Sequence, residues 1–324
     1  MTPFNHFKAF LKGSLKLAHR YRKFLVFVAI LYAFWFFGLG MLGGYLLNKG
    51  SLSDLPDITS NDKILIISPH IDDEIIATGG VIQEAVSKGA AVKVVYMTNG
   101  DDAVGAIISE KRNLNLDPNE FVALGEQRMA EGKKATNDLG LTDDNLIYLG
   151  FPDGGLNPML TTYYRAAYTS KATRFNYSPY TGTYIPKQQH LGINVVNDLK
   201  EIIKNFEPNI IFVSHLRDRH PDHSASYQFL VKSLIGQENN PKVYSYLVHY
   251  SLYPAQKKLL QNSFMYPPNR LFSKEGWYSF DLTNVQQDRK LKAIDENTSQ
   301  IKTISMLNFL KSFVRRNEIF EVMN

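Results

Sequence analysis

Lys63-Ile64-Leu65-Ile66-Ile67-Ser68-Pro69-His70-Ile71-Asp72-Asp73-Glu74 is the stretch that decides the fold. Its first half, KILIIS, is a short branched apolar run with the length of a buried strand. Its second half is polar and leads into Ile75 to Lys88, which reads as a helix closed by Gly89. The same rhythm repeats downstream. AVKVVYMTNG (91–100) is a second strand, Gln127 to Leu139 a helix stopped by Gly140, and NLIYLG (145–150) a third strand. Val195 to Phe206 is a helix ended near Pro208, and NIIFVSH (209–215) a fourth strand. Ser224 to Ile235 is a helix, and KVYSYLVHY (242–250) a fifth strand. Strands alternating with helices predict an α/β fold, a Rossmann-like three-layer αβα sandwich around a mostly parallel sheet. Asn157 to Gln189, rich in Tyr, Thr and Ser, has no clear period. It is expected to be a long loop over the carboxyl edge of the sheet and a candidate substrate lid.

Composition narrows the possibilities. The 324 residues are 44% hydrophobic and 21% charged, ordinary globular values that allow a substantial core. With no cysteine, disulfides and thiolate metal ligands are excluded, so any zinc must be held by His and carboxylate. The formal charge of +5 is modest. Much of it sits before residue 24, and it gives no ground for nucleic acid as a partner. No oligomeric state follows from the sequence.

Phe24 to Leu47 runs without a charge, and Lys8, Lys12, Lys16, Arg20, Arg22 and Lys23 precede it. That pattern predicts a single transmembrane helix over 24–47 behind a basic cytoplasmic tail at 1–23. Residues 48–62 would be a linker and 63–324 the catalytic domain. The expected location is a single-pass cell-membrane protein with an extracytoplasmic catalytic domain.

The chemistry-bearing residues fall at two strand ends. The first strand runs into His70, Asp72, Asp73 and Glu74, and the fourth into Asp218, His220, Pro221, Asp222 and His223. The sheet brings both clusters to one rim, where ligands bind in such folds. A hydrolytic zinc site takes three protein ligands and keeps one position open. His70 and Asp73, three apart at a strand-to-helix turn, can reach one ion, with His223 as the third ligand. Asp72 is then free to act as general base, and His220 to stabilise an oxyanion and protonate a leaving amine. Asp222 or Asp218 is placed to fix the His220 tautomer. Zn²⁺ is the expected cofactor, with another divalent ion as the alternative. Taken singly these residues have plainer explanations: Asp73 and Asp222 suit helix starts, and Pro221 suits a first turn.

The same motifs resemble the PIG-L (LmbE-like) family of zinc-dependent de-N-acetylases. Its opening motif stands here as Ser68-Pro69-His70-Ile71-Asp72-Asp73-Glu74, with Ile71 where the family usually has Pro. Its H-P-D-H motif is intact at His220 to His223. Thr98 to Asp101, Arg128 to Glu131 and Phe151 to Gly154 resemble weaker family segments. Near the end, Lys290 to Gln300 resembles a C-terminal helix motif, with Asn297 where the family often has His. The resemblance implies removal of the acetyl group from an N-acetylated sugar or glycolipid. His70, Asp73 and His223 would hold zinc, with Asp72 as base and His220 as electrophile. It also implies that Arg128 contacts an anionic part of the substrate, where an ion pair with Glu131 is the plainer reading. Asp153 and Asp101 are candidates for sugar hydroxyls, or for capping their own turns. Hydrolysis of another bond, a sugar-binding module and a structural membrane partner are the alternatives.

Overall fold

In the computed structural model, the protein is described over residues 21–32, 52–103, 105, 107, 116–271 and 276–323. A compact unit takes in Ser53–Asn324. Its elements are β1 (Ser53–Asp54), β2 (Lys63–Ser68), α1 (Asp73–Lys88), β3 (Ala91–Thr98), α2 (Pro118–Asp138), β4 (Leu146–Phe151) and α3 (Leu156–Leu160). Then follow α4 (Gly192–Phe206), β5 (Ile210–Ser214), α5 (Pro221–Leu234), β6 (Lys242–Tyr246), β7 (Trp277–Asp281), α6 (Asn284–Glu296), α7 (Ile304–Lys311) and β8 (Asn317–Val322).

One eight-stranded sheet has the order β1-β7-β8-β6-β5-β2-β3-β4. Its pairings are parallel except those of β8, which runs antiparallel to β6 and β7. The sheet is therefore mixed, with a parallel body. From β2 the chain moves outward through β3 and β4, then returns to the other side of β2 as β5. The carboxyl ends of β2 and β5 flank this reversal, where an open α/β sheet leaves a crevice.

Side chains on a strand alternate between faces, and this sorts the core. Leu65, Ile67, Val95, Leu149, Ile211 and Val213 pack with residues of α3, α4 and α5 in one buried cluster. Tyr96 and Tyr148, on the other face, donate hydroxyl hydrogen bonds to Glu74 of α1 and to the Met129 carbonyl of α2. Each Val, Leu or Ile fully buried in this way contributes roughly 1.5–3 kcal/mol.

Helix α2 begins at Pro118, well before the expected Gln127, because Asp117 and Glu120 form a reciprocal cap ahead of it. The fifth strand ends at Tyr246, so 247–250 is not strand. Helix α1 is tied down in mid-course. The Glu318 carboxylate on β8 accepts from the Gly80 and Val81 amides at 2.7 and 3.1 Å. Lys290 of α6, fully buried, neutralises it at 2.6 Å.

The expected transmembrane helix is corrected here. Among the described residues no helix is long and apolar enough to cross a membrane. The helix described in that region covers 21–32. Residues 33–51, the rest of the apolar run, and the basic stretch 1–20 lie outside the described residues. The single-pass location and the extracytoplasmic placement of the catalytic domain, which rested on that helix, fall with it. Part of the expected linker belongs to the compact unit, since Ser53 and Asp54 pair with β7 and Leu55 and Ile58 are buried.

Candidate active site

The turn after β2 is held in an unusual conformation. Asp72 has φ of 123°, outside the range an L side chain favours, and such strain persists only where surroundings fix it. Its amide donates to Glu74 Oε2 at 3.1 Å, and Glu74 is itself fully buried, accepting from Tyr96 and Ser68 at 2.8 and 3.1 Å. Its carboxylate faces Arg128 Nη2 at 3.1 Å. Arg128 also donates to the Gly100 carbonyl at 2.9 Å and to that of Ile71. A side chain at position 100 would occupy the guanidinium's place, since a Cβ there would stand 2.0 Å from Nη1. Arg128, expected to meet an anionic substrate group, is thus engaged in fixing the Asp72 turn, although it also lines the cavity.

The turn after β5 is relaxed. His220 caps α5 with extended backbone, and Pro221 opens the helix. His220 Nδ1 accepts from the Asp222 amide at 3.3 Å, which leaves the proton on Nε2. The tautomer is set by that backbone N–H. The carboxylates of Asp222 and Asp218, expected to do this, face elsewhere: Asp222 accepts from the Gly154 and Leu156 amides at 2.6 and 3.1 Å. Asp218 accepts from the backbone amides of His220, Val248 and His249, each at 2.9 Å.

The two turns meet at three donor atoms. His70 Nδ1 lies 3.2 Å from Asp73 Oδ2, and His223 Nε2 lies 3.1 Å from the same oxygen. The two ring nitrogens are 3.3 Å apart. Ligands on a tetrahedral ion with bonds of ~2.0–2.1 Å lie ~3.3–3.4 Å apart, so this triangle fits one face of such a site with little movement. Two imidazole N–H groups aimed at one oxygen would also confront each other, a conflict that a shared cation removes. His70, His220 and His223 also offer donors within 4.8 Å of one another, as do Asp73, His223 and His249, and His70, Asp153 and Asp222. The cluster as a whole suits a divalent cation.

Behind the triangle, carboxylates steady the rings. Asp153 Oδ1 is 3.1 Å from His70 Nε2, and Asp218 Oδ2 is 3.3 Å from His223 Nδ1. Asp153, expected to meet a sugar hydroxyl, also accepts from the Asp102 amide at 3.2 Å, and its own amide donates to Asp101 at 3.0 Å. Burial alone would depress both imidazoles. Asp153 nevertheless holds His70 well above its usual range, and Asp73 and Asp218 lift His223 to about 10. Burial and the neighbouring His70 and His223 lower His220 to about 4, so it is neutral at pH 7. Burial raises the Asp72 carboxyl to about 7 against the pull of Arg128.

A sequence profile for the family described as PIG-L: GlcNAc-PI de-N-acetylase matches residues 65–234, just over half of the chain. The chain belongs to the PIG-L family. A 1D-myo-inositol 2-acetamido-2-deoxy-alpha-D-glucopyranoside deacetylase of Thermomonospora curvata is 30% identical over 183 residues, covering 53% of this chain and 52% of that protein. The chain therefore spans about half the length of this curated relative. Among solved structures, N,N'-diacetylchitobiose deacetylase from Pyrococcus horikoshii aligns with a TM-score of 0.51 at 20% identity, covering 81% of this chain and 84% of that one. GalB, a 4-carboxy-2-hydroxymuconate hydratase from Pseudomonas putida, aligns with a TM-score of 0.52 at 15% identity, covering 81% and 96%. These likenesses describe the fold.

In this PIG-L chain the site opens into a cavity of about 290 Å³. His70, Asp72, Asp73 and His220 lie on its polar side, and Ile76, Val248, Met306, Phe309 and Leu310 form an apolar wall. Sequence reasoning missed His249, whose ring lies 4.9 Å from that of His223, and all of α7. His249 stands just past β6, and it escaped the strand-end rule because the fifth strand was read through to Tyr250. Asn297, the departure from the family pattern, is buried and caps α6, while Gln300 reaches the cavity. Among the described residues, the expected lid 157–189 contributes nothing to the cavity wall. It packs instead on β4, an edge strand, where the Tyr184 amide donates to the Tyr148 carbonyl at 2.7 Å.

Proposed function

We propose that this protein is a zinc-dependent amide hydrolase that removes the acetyl group from an N-acetylated amino sugar and releases acetate. One observation carries the proposal: His70, Asp73 and His223 converge within 3.3 Å of one another, and His70 and Asp73 line a cavity that also presents Asp72 and neutral His220. Those three residues would hold the ion. When bound, it polarises a carbonyl oxygen and acidifies a water to near neutral pH.

The chain's own groups do the proton work. The Asp72 carboxylate takes the proton of the attacking water, held in place by Arg128. His220 Nε2–H donates to the amide oxygen as charge develops on it, and Asp72 returns the proton it took from water to the departing amine nitrogen as the C–N bond breaks. Asp153 and Asp218 orient His70 and His223 from behind. The cavity volume is at the small end for ligand pockets and suits one sugar ring. Family membership and the N-acetylglucosamine deacetylase named among the relatives support an acetamido sugar.

The shared fold of GalB favours keeping a second reading, addition or removal of water at another bond. Purified protein should bind one zinc per chain and release acetate from N-acetylglucosamine conjugates. Stoichiometric metal with no acetate from any acetamido sugar would refute the deacetylase reading and favour the second.

A further inference from the structure

Tyr180 lies outside both site turns and outside the cavity wall, yet it is joined to a candidate metal ligand by an unbroken line of contacts. Its ring is 3% exposed, and its hydroxyl donates to Asp101 Oδ2 at 2.5 Å. The other Asp101 oxygen accepts from the Asp153 amide at 3.0 Å. Asp153 Oδ1 then meets His70 Nε2 at 3.1 Å. The opposite nitrogen of that ring faces Asp73 and His223.

The surroundings are shaped for this contact. At Gly125 a Cβ would stand 2.5 Å from the Tyr180 hydroxyl oxygen, so helix α2 leaves a slot for the ring. At Gly150, φ 70°, a Cβ would stand 2.4 Å from Ser178 Oγ, so β4 admits the segment that carries Tyr180. A tyrosine that only fills space requires some acceptor for its hydroxyl. Here the acceptor is the carboxylate that fixes the residue behind His70.

We propose that Tyr180 is a positioning residue: it pins Asp101, Asp101 holds Asp153, and Asp153 sets the orientation in which His70 presents Nδ1 to the metal. The inference rests on the reading of His70 as a ligand. Loss of a partner behind a ligand typically lowers metal affinity 10–100-fold.

Zinc affinity of the full chain, measured by competition with a chromophoric chelator, tests it with Tyr180→Phe, Asp153→Asn and the double variant. Tyr180→Phe keeps the ring in its slot and should weaken zinc binding about tenfold. Asp153→Asn should weaken it at least as much, and Tyr180→Phe should add nothing in that background. Unchanged affinity in Tyr180→Phe, or losses that simply add, overturns the inference. If Tyr180→Phe does not fold, Asp101→Asn carries the same comparison, because it cannot accept from both Tyr180 and the Asp153 amide. Wild type that binds no zinc overturns the metal-centre reading itself and this inference with it. Tight wild-type binding with Tyr180→Phe unaffected overturns this inference alone.

Discussion

The turns after β2 and β5 occupy equivalent places at the sheet's reversal, yet they are built in opposite ways. The first is strained: Asp72 sits at φ 123° and is braced by Glu74 and Arg128. The second follows ordinary helix-start rules, with His220 as cap and Pro221 in the first turn. The first supplies His70 and Asp73 to the donor triangle and the second His223, and each also carries a group, Asp72 or His220, that lines the cavity. The contrast teaches where stability has been given up. Strain is concentrated under the carboxylate assigned as base, and the electrophilic histidine comes with a relaxed helix start.

The largest expected effect breaks the first turn. Asp72→Asn should lower kcat by about 10²–10⁴-fold, the usual contribution of general-base catalysis, with zinc content unchanged. Zinc loss in that variant would make Asp72 a ligand. Next, His220→Ala should lower kcat by ~10²–10³-fold, as removal of an oxyanion donor does. An equal fall in both variants would leave the two turns indistinguishable by function.

The smallest effect is on stability. His220 is held to about 4 in the fold, against about 6.5 when unfolded, by burial and by His70 and His223. The unfolded chain therefore binds more protons between those values, and stability rises with pH across that window. In protein stripped of divalent ions, this contribution, on the order of 1–3 kcal/mol, should be lost as pH falls from 6.5 to 4. His220→Asn, which retains a capping side chain, should flatten that part of the profile in a thermal melt. A slope unchanged in the variant would assign the acid sensitivity to other groups.

The strands of the parallel body were legible because each is a continuous apolar run, and the convergence of His70, Asp73 and His223 because each follows such a run. The C-terminal part was less so. The β7 segment WYSFD and the β8 segment NEIFEV mix polar and apolar residues, because β8 turns Glu318 inward to meet Lys290. Nothing local in a sequence announces a buried ion pair between residues 28 apart. The contacts that Arg128 and Asp153 make were hidden for a related reason. Both residue types suit substrates, and only the geometry shows that Arg128 reaches Asp72 and Asp153 reaches His70. The apolar run at 24–47 spoke for a membrane helix, but among the described residues no helix is long and apolar enough to cross a membrane.

The Glu318 clasp on Gly80 and Val81 sets an order of events during synthesis. The helix that opens with Asp73 leaves the ribosome early, while its clasp lies 238 residues downstream of Gly80. Contacts of such long range form late, because loop closure must precede any gain from them. A nascent chain halted before β8 therefore has both site turns translated but the middle of α1 without its clasp. Ordering of the α1 turn should accordingly be completed only once β8 is in place.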